Sequence, residues 1–590
     1  MNGARGRPQI TILDAGGQYC HLIARKVREA GVFAEVRPSH TPAPELAGRR
    51  GLIISGGPSS VYEPDSPVVD PKIFKLGVPI LGICYGHQLM AHMLGGRVEK
   101  GDKGEYGLAV LKLHRASSLL AGLPEHSEVW MSHRDLVAAL PAGFDLLAST
   151  DSCEAAAMED ASRRLYGVQF HPEVAHTRFG RQILDNFVFA ICSCRRDWDP
   201  RGRLKELEES IRRAAGDRKV FFFVSGGVDS AVAFTLCLRA LGAGRVRGFY
   251  VDTGLMRERE TEFVHDLFER ISPGSVEIVR AEARFLGALA GVRDPELKRR
   301  IIGDEFVRIQ QEILDSERFL EGDWILGQGT IYPDTIESGG SGQAAVIKTH
   351  HNRAPGVQRL LEAGLVIEPL SSFYKDEVRA VGRELGLPET LLMRHPFPGP
   401  GLAIRCLCSP AEARVEKLAE GWLVPVRSVG VQGDARSYRP VLLLEEFPRP
   451  GLEVRAAELI NRLGGINRVV AWVAGEVSPA SMRVGAALLG GERMARLRRA
   501  DALVREICQA SGFEAQVWQF PVILIPLGTP ERPDSIVLRP VDSVDGMTAR
   551  AVIMPADLLE AMTKELLALE GIAAVVYDLT HKPPGTIEWE

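Results

Sequence analysis

The stretch PILGICYGHQ, residues 79–88, decides the fold of the first part of the chain. Its apolar run ends at a cysteine between two glycines, which predicts a short buried strand, a sharp turn at Cys84 and a helix over residues 86–94. Gly82 and Gly86 allow the backbone to cross itself closely at this turn. We therefore expect the thiol to be exposed above the sheet, at a helix N-terminus that favours the reactive thiolate.

A second motif supplies the partners that a nucleophilic thiol needs. The stretch GVQFHPE, residues 167–173, places His171 after a predicted strand and Glu173 two residues beyond it. A histidine can act as the base and a glutamate can orient its imidazole, so Cys84, His171 and Glu173 are the candidate catalytic residues. A buried structural cysteine with an unrelated surface histidine is the alternative, and the presence of both motifs disfavours it.

Four regions can be distinguished along the chain. Over residues 1–198 short apolar strands alternate with helices, which predicts an α/β domain with a parallel sheet. The charged residues 199–218 have helical spacing and are interpreted as a linker helix. A second α/β domain is predicted over residues 219–404, and near its end lies the run HPFPGPG, which no helix or central strand can include. An α+β domain is predicted over residues 405–590.

The motif SGGVDS marks a second candidate centre, between a predicted strand and an apolar helix. A strand, a glycine-rich turn and a helix N-terminus together form an anion cradle, in which backbone N–H groups converge and serine hydroxyls donate. The motif lacks the GK[ST] sequence of a Walker loop. Asp229 either holds Mg²⁺ or caps the turn, and the sequence leaves both roles open. The candidate phosphate-binding residues of the motif are Ser225, Gly226, Gly227, Val228, Asp229 and Ser230.

Two later segments fit the same centre. The stretch YVDTG, residues 250–254, ends the next predicted strand, where open α/β sheets bind ligands, so Val251 is expected beside the bound ligand. The stretch KTHHN, residues 348–352, follows a glycine-rich segment, and Lys348 is expected to close on the bound phosphates as part of a lid. A solvated polar loop is the alternative interpretation of this second segment.

The last region contains a faint internal repeat. LGGINRVV, residues 463–470, resembles LEGIAAVV, residues 569–576, at a displacement of 106 positions. Each copy follows a helical stretch and, further upstream, a β-rich pair, so we predict two β-β-α-β units over about residues 405–500 and 501–590. Chance similarity over eight positions is the alternative.

Composition narrows the class of protein. At 590 residues the chain is too long for one core, and its 45% hydrophobic and 25% charged content is typical of globular proteins. The net charge of −5 and the absence of a long basic run argue against nucleic acid as a partner. Nine cysteines without a regular framework suit a reducing cytoplasm, and we expect neither a membrane span nor a signal peptide. Two C-x-C pairs lack further zinc ligands and are interpreted as incidental.

The motifs resemble known families. GICYGHQ and GVQFHPE are similar to the signatures of class I glutamine amidotransferases, and SGGVDS resembles the pyrophosphate loop of the ATP pyrophosphatases, which implies a doubly wound domain. Joined in one chain, and followed by KTHHN, HPFPGPGLAIR, GVQGDARSY and KPPGTIEWE, they resemble the GMP synthase family from about residue 9 onward. That resemblance implies that XMP, ATP and glutamine are converted to GMP, AMP, pyrophosphate and glutamate.

The resemblance also implies roles for individual residues. Cys84 would attack the glutamine amide, His171 would shuttle the proton, and N–H groups near Gly57 and Tyr85 would form the oxyanion hole. ATP would be bound by Ser225, Gly226, Gly227, Val228, Asp229, Ser230 and Lys348, with its adenosine beside Val251. Mg²⁺ would accompany ATP at Asp229, and an adenylyl-XMP intermediate would form. The residues that fall where the family contacts XMP are Asp434, Gln519, Lys582 and Glu588.

The chain departs from the compact bacterial form of the family in its last region. That form has one short dimerisation unit, whereas this chain carries two, so we expect a monomer or a weak homodimer. Two alternatives remain at this point. One is another glutamine-dependent, ATP-pyrophosphatase amidating synthetase, such as a NAD synthetase. The other is a catalytically silent binding or regulatory protein, against which the intact chemical residues at both centres argue.

Overall fold

The computed structural model describes residues 8–17, 19–174, 176–337, 354–432, 435–543 and 548–590. The chain divides into two compact units. The first comprises Met1–Ser210, Ile331–Ser341 and Ser372–Val381, and the second comprises Ile211–Thr330, Gly342–Ser371 and Gly382–Glu590. None of the helices in the described residues is long and apolar enough to cross a membrane.

The first unit is built on a nine-stranded sheet with the order β2-β1-β3-β4-β9-β8-β7-β5-β6. Strands β2, β1, β3, β4 and β9 run parallel, and the remaining strands are antiparallel. The central strands β3, β4 and β9 are buried along their whole length, which explains their unbroken apolar sequences. The strands are β1 Ile10–Asp14, β2 Ala34–Pro38, β3 Gly51–Ile54, β4 Ile80–Ile83, β5 Arg97–Leu113, β6 His126–Ala139, β7 Asp145–Ser149, β8 Ala157–Asp160 and β9 Leu165–Val168.

Helices pack on this sheet through apolar faces. Ile23, Ala24 and Val27 on the first helix are buried at a helical spacing, whereas the charged residues between them are partly exposed. The helices up to residue 215 are α1 Cys20–Glu29, α2 Ala43–Leu46, α3 Tyr85–Met93, α4 Gly180–Asp185 and α5 Leu204–Ala215, with a 3-10 turn at Pro71–Lys75 and a π-helical segment at Asn186–Ile191. Helix α5 occupies most of the predicted linker.

The second unit begins with a five-stranded, wholly parallel sheet of order β12-β11-β10-β13-β14. The first strand in sequence, β10, is the central strand of the sheet. Strands β11 and β12 lie on one side of it, and β13 and β14 lie on the other. Its strands are β10 Lys219–Phe223, β11 Val246–Asp252, β12 Val276–Arg280, β13 Trp324–Gly327 and β14 Val366–Ile367. The helices from residue 228 to 392 are α6 Val228–Leu241, α7 Glu260–Ile271, α8 Glu282–Ala288, α9 Pro295–Ser316, α10 Tyr332–Glu337, α11 Pro355–Glu362, α12 Lys375–Glu384 and α13 Glu389–Leu392, with a 3-10 turn at Ala243–Arg245. Of these, α10 and most of α12 belong to the first unit.

A seven-stranded sheet of order β16-β17-β18-β19-β26-β23-β21 follows in the same unit. Strand β17 pairs antiparallel with β18, and β18 pairs parallel with β19. The same pattern recurs in β21, β23 and β26, and the two sets meet through the antiparallel pair β19–β26. The strands of this region are β15 Ala413–Arg414, β16 Glu416–Lys417, β17 Trp422–Gln432, β18 Ala435–Leu444, β19 Arg468–Gly475, β20 Arg483–Val484, β21 Val522–Ile525, β22 Leu527–Gly528, β23 Asp534–Leu538, β24 Val541–Asp542, β25 Arg550–Ala551 and β26 Ile572–Asp578.

Three helices accompany this sheet. They are α14 Leu452–Leu463, α15 Gly491–Ser511 and α16 Ala556–Leu567, and short 3-10 turns lie at Gly401–Ile404, Pro479–Ser481 and Phe513–Gln516. Helices α14 and α16 each precede the last strand of one set, at the place that the repeated sequence predicts. Helix α15 runs across residue 500, the predicted boundary between the two β-β-α-β repeats, because its helical pattern is continuous there.

A buried ionic cluster fastens the end of the chain to both strand sets. Arg468 and Arg539 share the carboxylate of Asp578, at nitrogen–oxygen distances of 2.9 and 2.7 Å, and all three side chains are inaccessible to water. Both arginines also donate to the backbone carbonyl of Thr586, and the indole N–H of Trp589 donates to Asp578. Burial, followed by the nearby Arg539 cation, lowers the pKa of Arg468 to about 9. Asp578 therefore stabilises two cations that water cannot reach.

We predict that Asp578→Ala lowers the free energy of unfolding of the second unit by about 3–5 kcal/mol, because it leaves two buried guanidinium groups without their anion. Denaturant titration followed by tryptophan fluorescence measures this change. Glu445→Ala is the matched control: it removes an ion pair with Lys417 in which both side chains are about half exposed, so it should cost at most about 1 kcal/mol. An equal loss of unfolding free energy in the two variants would contradict the role of Asp578 in stabilising the two buried arginines.

Candidate active site

The predicted strand, turn and helix around Cys84 are present, but the expected exposure of the thiol is wrong. Cys84 is 5% exposed, because its side chain packs in the core of the first unit and its Sγ lies 3.7 Å from the carbonyl oxygen of Ser132. Strand β4 ends at Ile83, and α3 begins at Tyr85, one residue earlier than the sequence suggests. Cys84 itself has φ 54° and ψ −107°, a conformation that residues other than glycine rarely adopt. Its N–H donates to the carbonyl of Val168 at 2.8 Å, so the neighbouring strand β9 helps to hold the strained turn.

Close backbone contacts explain the two flanking glycines. A Cβ atom on Gly82 would lie 2.4 Å from the carbonyl oxygen of Gly86, and one on Gly86 would lie 2.3 Å from that of Ile54. Backbone atoms cannot move aside as a flexible side chain can. Any side chain at either position would therefore push α3 away from the sheet and displace Cys84.

His171 and Glu173 form a buried pair beside this turn. Nδ1 of His171 lies 2.7 Å from Oε1 of Glu173, and the two residues are 4% and 1% exposed. A Cβ on Gly56 would lie 3.1 Å from Cε1 of His171 and 3.5 Å from Cβ of Cys84, so the imidazole and the cysteine flank the same point. Burial lowers the pKa of His171, but the Glu173 carboxylate and the Cys84 sulfur outweigh it, and that pKa is raised well above its ordinary value. The Glu173 carboxylate therefore favours the imidazolium form of His171.

The predicted oxyanion donors belong to the same turn region. Tyr85 is the first residue of α3, where backbone N–H groups have no helical acceptor. Gly57 lies shortly after β3, and a Cβ there would be 2.4 Å from the carbonyl oxygen of Ala15. Gly57 directly follows Gly56, which lies beside Cys84 and His171, and the role of the two N–H groups stays a prediction.

The SGGVDS loop connects β10 to α6 in the second unit. Chain order reverses between β10 and β13, and ligands of open parallel sheets bind at such a switch point, beyond the carboxyl ends of the strands. The Ser225 hydroxyl accepts from the N–H of Gly227, and the Ser230 hydroxyl accepts from the N–H of Ser225, both at 3.3 Å. Gly226 has φ +71°. The loop is thus curled over the N-terminus of α6.

Asp229 lies in the first turn of α6, where the helix dipole favours an anion. Within the described residues no group of three or more His, Cys, Asp or Glu side chains could hold a metal ion unaided. Mg²⁺ delivered with ATP needs only one or two carboxylates, since phosphate oxygens and water supply the other ligands. One carboxylate beside a phosphate loop fits that requirement. The choice between a metal and a capping role stays open.

Two residues that sequence reasoning missed support this loop. Nη2 of Arg394 lies 2.7 and 2.5 Å from the two carboxylate oxygens of Glu260, and Nη1 lies 3.4 Å from the carbonyl oxygen of Gly226. Glu260 and Arg394 are 134 residues apart, so no local pattern connects them. The one signal in the sequence is that Arg394 directly precedes the HPFPGPG run. Val251, predicted beside the adenosine, is buried on β11, the neighbour of β10.

Three of the four predicted XMP-binding residues lie within the described residues. Gln519 donates to the carbonyl of Pro396 at 2.6 Å, and Glu588 accepts from Arg405, so both are fastened to the segment 395–405. Lys582 pairs through its backbone with Ala549. The remaining predicted ligands, Asp434 for XMP and Lys348 for ATP, lie outside the described residues.

Comparison with known proteins gives the class. Residues 11–191 match the family model "Glutamine amidotransferase class-I", which covers β1 to β9 and the cysteine centre. Residues 506–589 match the model "GMP synthase C terminal domain". The fold and the site thus define a class I glutamine amidotransferase joined to the C-terminal domain of a nucleotide synthetase.

Full-length relatives identify the family. The chain is 41% identical to a probable GMP synthase (glutamine-hydrolysing) of Leptospira interrogans, with 99% of each chain covered. It is 41% identical to the GMP synthase (glutamine-hydrolysing) of Caldicellulosiruptor saccharolyticus over 98% of this chain and 99% of that one. The corresponding enzyme of Symbiobacterium thermophilum is 43% identical, with 99% of each chain covered. The chain belongs to the glutamine-hydrolysing GMP synthase family, as its motifs predict.

We predict that Glu173→Gln lowers the pKa of His171, because it removes the carboxylate that raises it. The imidazolium should then lose its proton at lower pH, and the corresponding limb of the glutaminase pH profile should move the same way. Titration of ¹⁵N-labelled histidine by NMR measures the pKa directly. Glu125→Gln, an exposed carboxylate in the same unit, should leave it unchanged. An unchanged or higher pKa in Glu173→Gln would refute the coupling.

Proposed function

We propose that the chain makes GMP from XMP, ATP and glutamine through an adenylyl-XMP intermediate. One observation carries this proposal: a member of the GMP synthase family has both a cysteine turn with a buried His–Glu pair and a phosphate loop at the switch point of a parallel sheet. The first centre releases ammonia from glutamine, and the second activates XMP. The enzyme is thus a carbon–nitrogen ligase of purine nucleotide biosynthesis.

At the first centre the thiolate of Cys84 attacks the side-chain amide carbon of glutamine. Negative charge develops on the amide oxygen, where the N–H groups of Gly57 and Tyr85 would stabilise it. The imidazolium of His171 donates its proton to the departing nitrogen, so ammonia leaves and a thioester remains. Water, activated by the same imidazole, then releases glutamate. Glu173 holds the imidazole through Nδ1, which keeps Nε2 available for both proton transfers.

At the second centre O2 of XMP attacks the α-phosphorus of ATP, and pyrophosphate leaves. The loop Ser225–Ser230 would hold the phosphates with its N–H groups and hydroxyls, aided by the positive end of α6. Mg²⁺, when bound with ATP, neutralises phosphate charge, and Asp229 is the carboxylate we assign to it. Lys348 would add a cation to the phosphates, and Val251 would contact the adenosine. Ammonia then attacks C2 of the purine, and the C2–O bond breaks to release AMP.

Four residues are proposed to bind XMP. Lys582 would contribute a cation for the phosphate, and Glu588 would accept hydrogen bonds from N–H groups of the base. Asp434 and Gln519 are assigned from the family motif. Support from the structure is that Gln519 and Glu588 are both hydrogen-bonded to the segment 395–405, which follows the loop-supporting Arg394.

The architecture of the second unit carries two related proposals. We assign the five-stranded sheet to an ATP pyrophosphatase domain, because it is wholly parallel and its phosphate loop follows the central strand. We interpret the two strand sets of the seven-stranded sheet as duplicated units, because their pairing patterns agree and they meet antiparallel at β19–β26. A pair of units joined within one chain replaces the pairing of two subunits, so we expect a monomer or a weak homodimer.

The first test separates the two centres. Cys84→Ala should abolish glutamine-dependent GMP formation and leave GMP formation from added ammonium salts largely intact, because ammonia bypasses the glutaminase but still needs the synthetase. Both rates are measured as GMP formed per minute at saturating XMP and ATP. Cys153→Ala is the control, since burial raises the pKa of that thiol to about 12 and leaves it unreactive. Equal loss of both activities in Cys84→Ala would refute the two-centre scheme.

The second test concerns the phosphate loop. Asp229→Ala should reduce AMP release by about 10²-fold or more with either nitrogen donor, because the charge on the departing pyrophosphate is less well stabilised. AMP is quantified by chromatography over a series of Mg²⁺ concentrations. Asp217→Ala, an exposed carboxylate in the turn before β10, should retain full activity. Unchanged AMP release in Asp229→Ala would assign that side chain to capping alone.

A further inference from the structure

Four charged side chains form a cluster beside the segment 395–405 in the second unit. They are Arg257, Arg405, Asp501 and Glu588. The side chains of Arg405 and Asp501 are 1% exposed and that of Arg257 is 6% exposed, whereas the side chain of Glu588 is 17% exposed. The cluster therefore has a dry interior and one carboxylate that reaches its boundary.

Arg405 makes a bidentate contact with the carboxylate of Glu588. Nε donates to Oε2 of Glu588 at 2.9 Å, and Nη2 donates to Oε1 at 2.7 Å. A bidentate contact fixes the plane of the carboxylate as well as its distance. The orientation of Glu588 is therefore set by the orientation of the Arg405 guanidinium.

Asp501, on α15, is the group that faces the other side of this guanidinium. Its Oδ1 lies 3.9 Å from Nη1 of Arg405, and its Oδ2 lies 3.4 Å from Nε of Arg257. Neither oxygen of Asp501 has a hydrogen-bond partner among the described residues. Buried carboxylates in proteins are normally hydrogen-bonded, and a buried ion without such bonds is costly. Asp501 is therefore held in place by its attraction to the two arginines.

Asp501 is an anion near several arginines that lie close to one another. Burial lowers the pKa of Arg257 to about 10; Asp501 opposes that change, while Arg505, Arg405 and Arg394 reinforce it. Asp501 thus offsets the mutual repulsion of several arginines. With a neutral side chain at this position, the Arg405 guanidinium would be pushed away from Arg257.

The aromatic ring of Phe397 links the cluster to the segment 395–405. The guanidinium carbons of Arg257 and Arg405 lie 4.4 and 5.3 Å from its centroid. The carbonyl of the adjacent Pro396 accepts a hydrogen bond from Gln519. Two of the proposed XMP-binding residues, Gln519 and Glu588, are thus joined to one connected group of side chains.

We propose that Asp501 is a positioning residue for XMP recognition, which acts through Arg405 to fix the carboxylate of Glu588 toward the N–H groups of the XMP base. This inference rests on the proposed function, in which Glu588 contacts XMP. Asp501 itself does not touch the nucleotide. Its effect should therefore be confined to steps in which Glu588 takes part.

The test is a double-mutant cycle on the full chain, with ammonium chloride as nitrogen donor so that the glutaminase plays no part. The variants are Asp501→Asn, Glu588→Gln and the two combined, and the quantities are kcat and KM for XMP and for ATP. Glu588→Gln should raise KM for XMP about tenfold, as expected for the loss of one charge-assisted hydrogen bond. Asp501→Asn should raise KM for XMP severalfold, and both should leave KM for ATP within about twofold.

The combined variant decides the mechanism. If Asp501 acts through Glu588, the double variant should have the KM for XMP of Glu588→Gln alone, because there is no carboxylate left to orient. A residue that only supports the fold would instead multiply the two effects and would raise KM for ATP as well. Either of those results would overturn the inference. Glu506→Gln, an exposed carboxylate on the same helix, is the matched control and should be unchanged.

Further outcomes separate the inference from the proposed function. A normal KM for XMP in Glu588→Gln would refute the XMP site and the inference with it. A raised KM in Glu588→Gln with a normal one in Asp501→Asn would refute the inference alone. If Asp501→Asn does not fold, Arg405→Lys serves as the second variant. It keeps the charge but loses the bidentate contact, so it should raise KM for XMP about as much as Glu588→Gln does, and an unchanged KM would overturn the inference.

Discussion

Both proposed centres depend on one constraint, the close approach of backbone to backbone where a strand turns directly into a helix. The turn at Cys84 is possible because Gly82 and Gly86 have no side chain. A Cβ atom at these positions would lie only 2.4 and 2.3 Å, respectively, from neighbouring backbone carbonyl oxygens. The left-handed backbone of Cys84 costs on the order of 1–3 kcal/mol, and the hydrogen bond to Val168 helps to offset it. In the SGGVDS loop the turn from β10 to α6 uses the positive φ of Gly226, and the close approach is made by Gly329, where a Cβ would lie 2.8 Å from the backbone nitrogen of Ser230.

The constraint matters for chemistry because it places reactive groups at helix N-termini. In the proposed function, a thiolate at the start of α3 and phosphates at the start of α6 would both be anions that meet unbonded N–H groups and the positive end of a helix dipole. Charged residues around each turn then act on the groups of the site. Glu173 raises the pKa of His171 at the first, and the Glu260–Arg394 pair braces the loop carbonyl at the second.

Features fixed by local rules could be predicted from the sequence, and those fixed by distant contacts could not. Strand–turn–helix motifs carry glycine and apolar signals within about ten residues, so the local fold at both proposed centres and the family could be predicted, with α3 beginning one residue earlier than expected. The Arg394–Glu260 and Arg468–Asp578 pairs join residues 134 and 110 positions apart. Asp501 gave no signal either, because one carboxylate on a charged helix resembles a solvated residue until its burial is known. The boundary near residue 500 lies inside α15, since a faint repeat gives no information on where a helix ends.

The central claim is that the second centre activates XMP by transferring an adenylyl group to O2. It is tested most directly with XMP that carries ¹⁸O at C2, incubated with the enzyme, ATP, Mg²⁺ and ammonium chloride. If O2 attacks the α-phosphorus, AMP must leave with that oxygen, so mass spectrometry should find one ¹⁸O in the phosphate of AMP for each GMP formed. AMP without the label, with ¹⁸O recovered in pyrophosphate or water, would contradict the account.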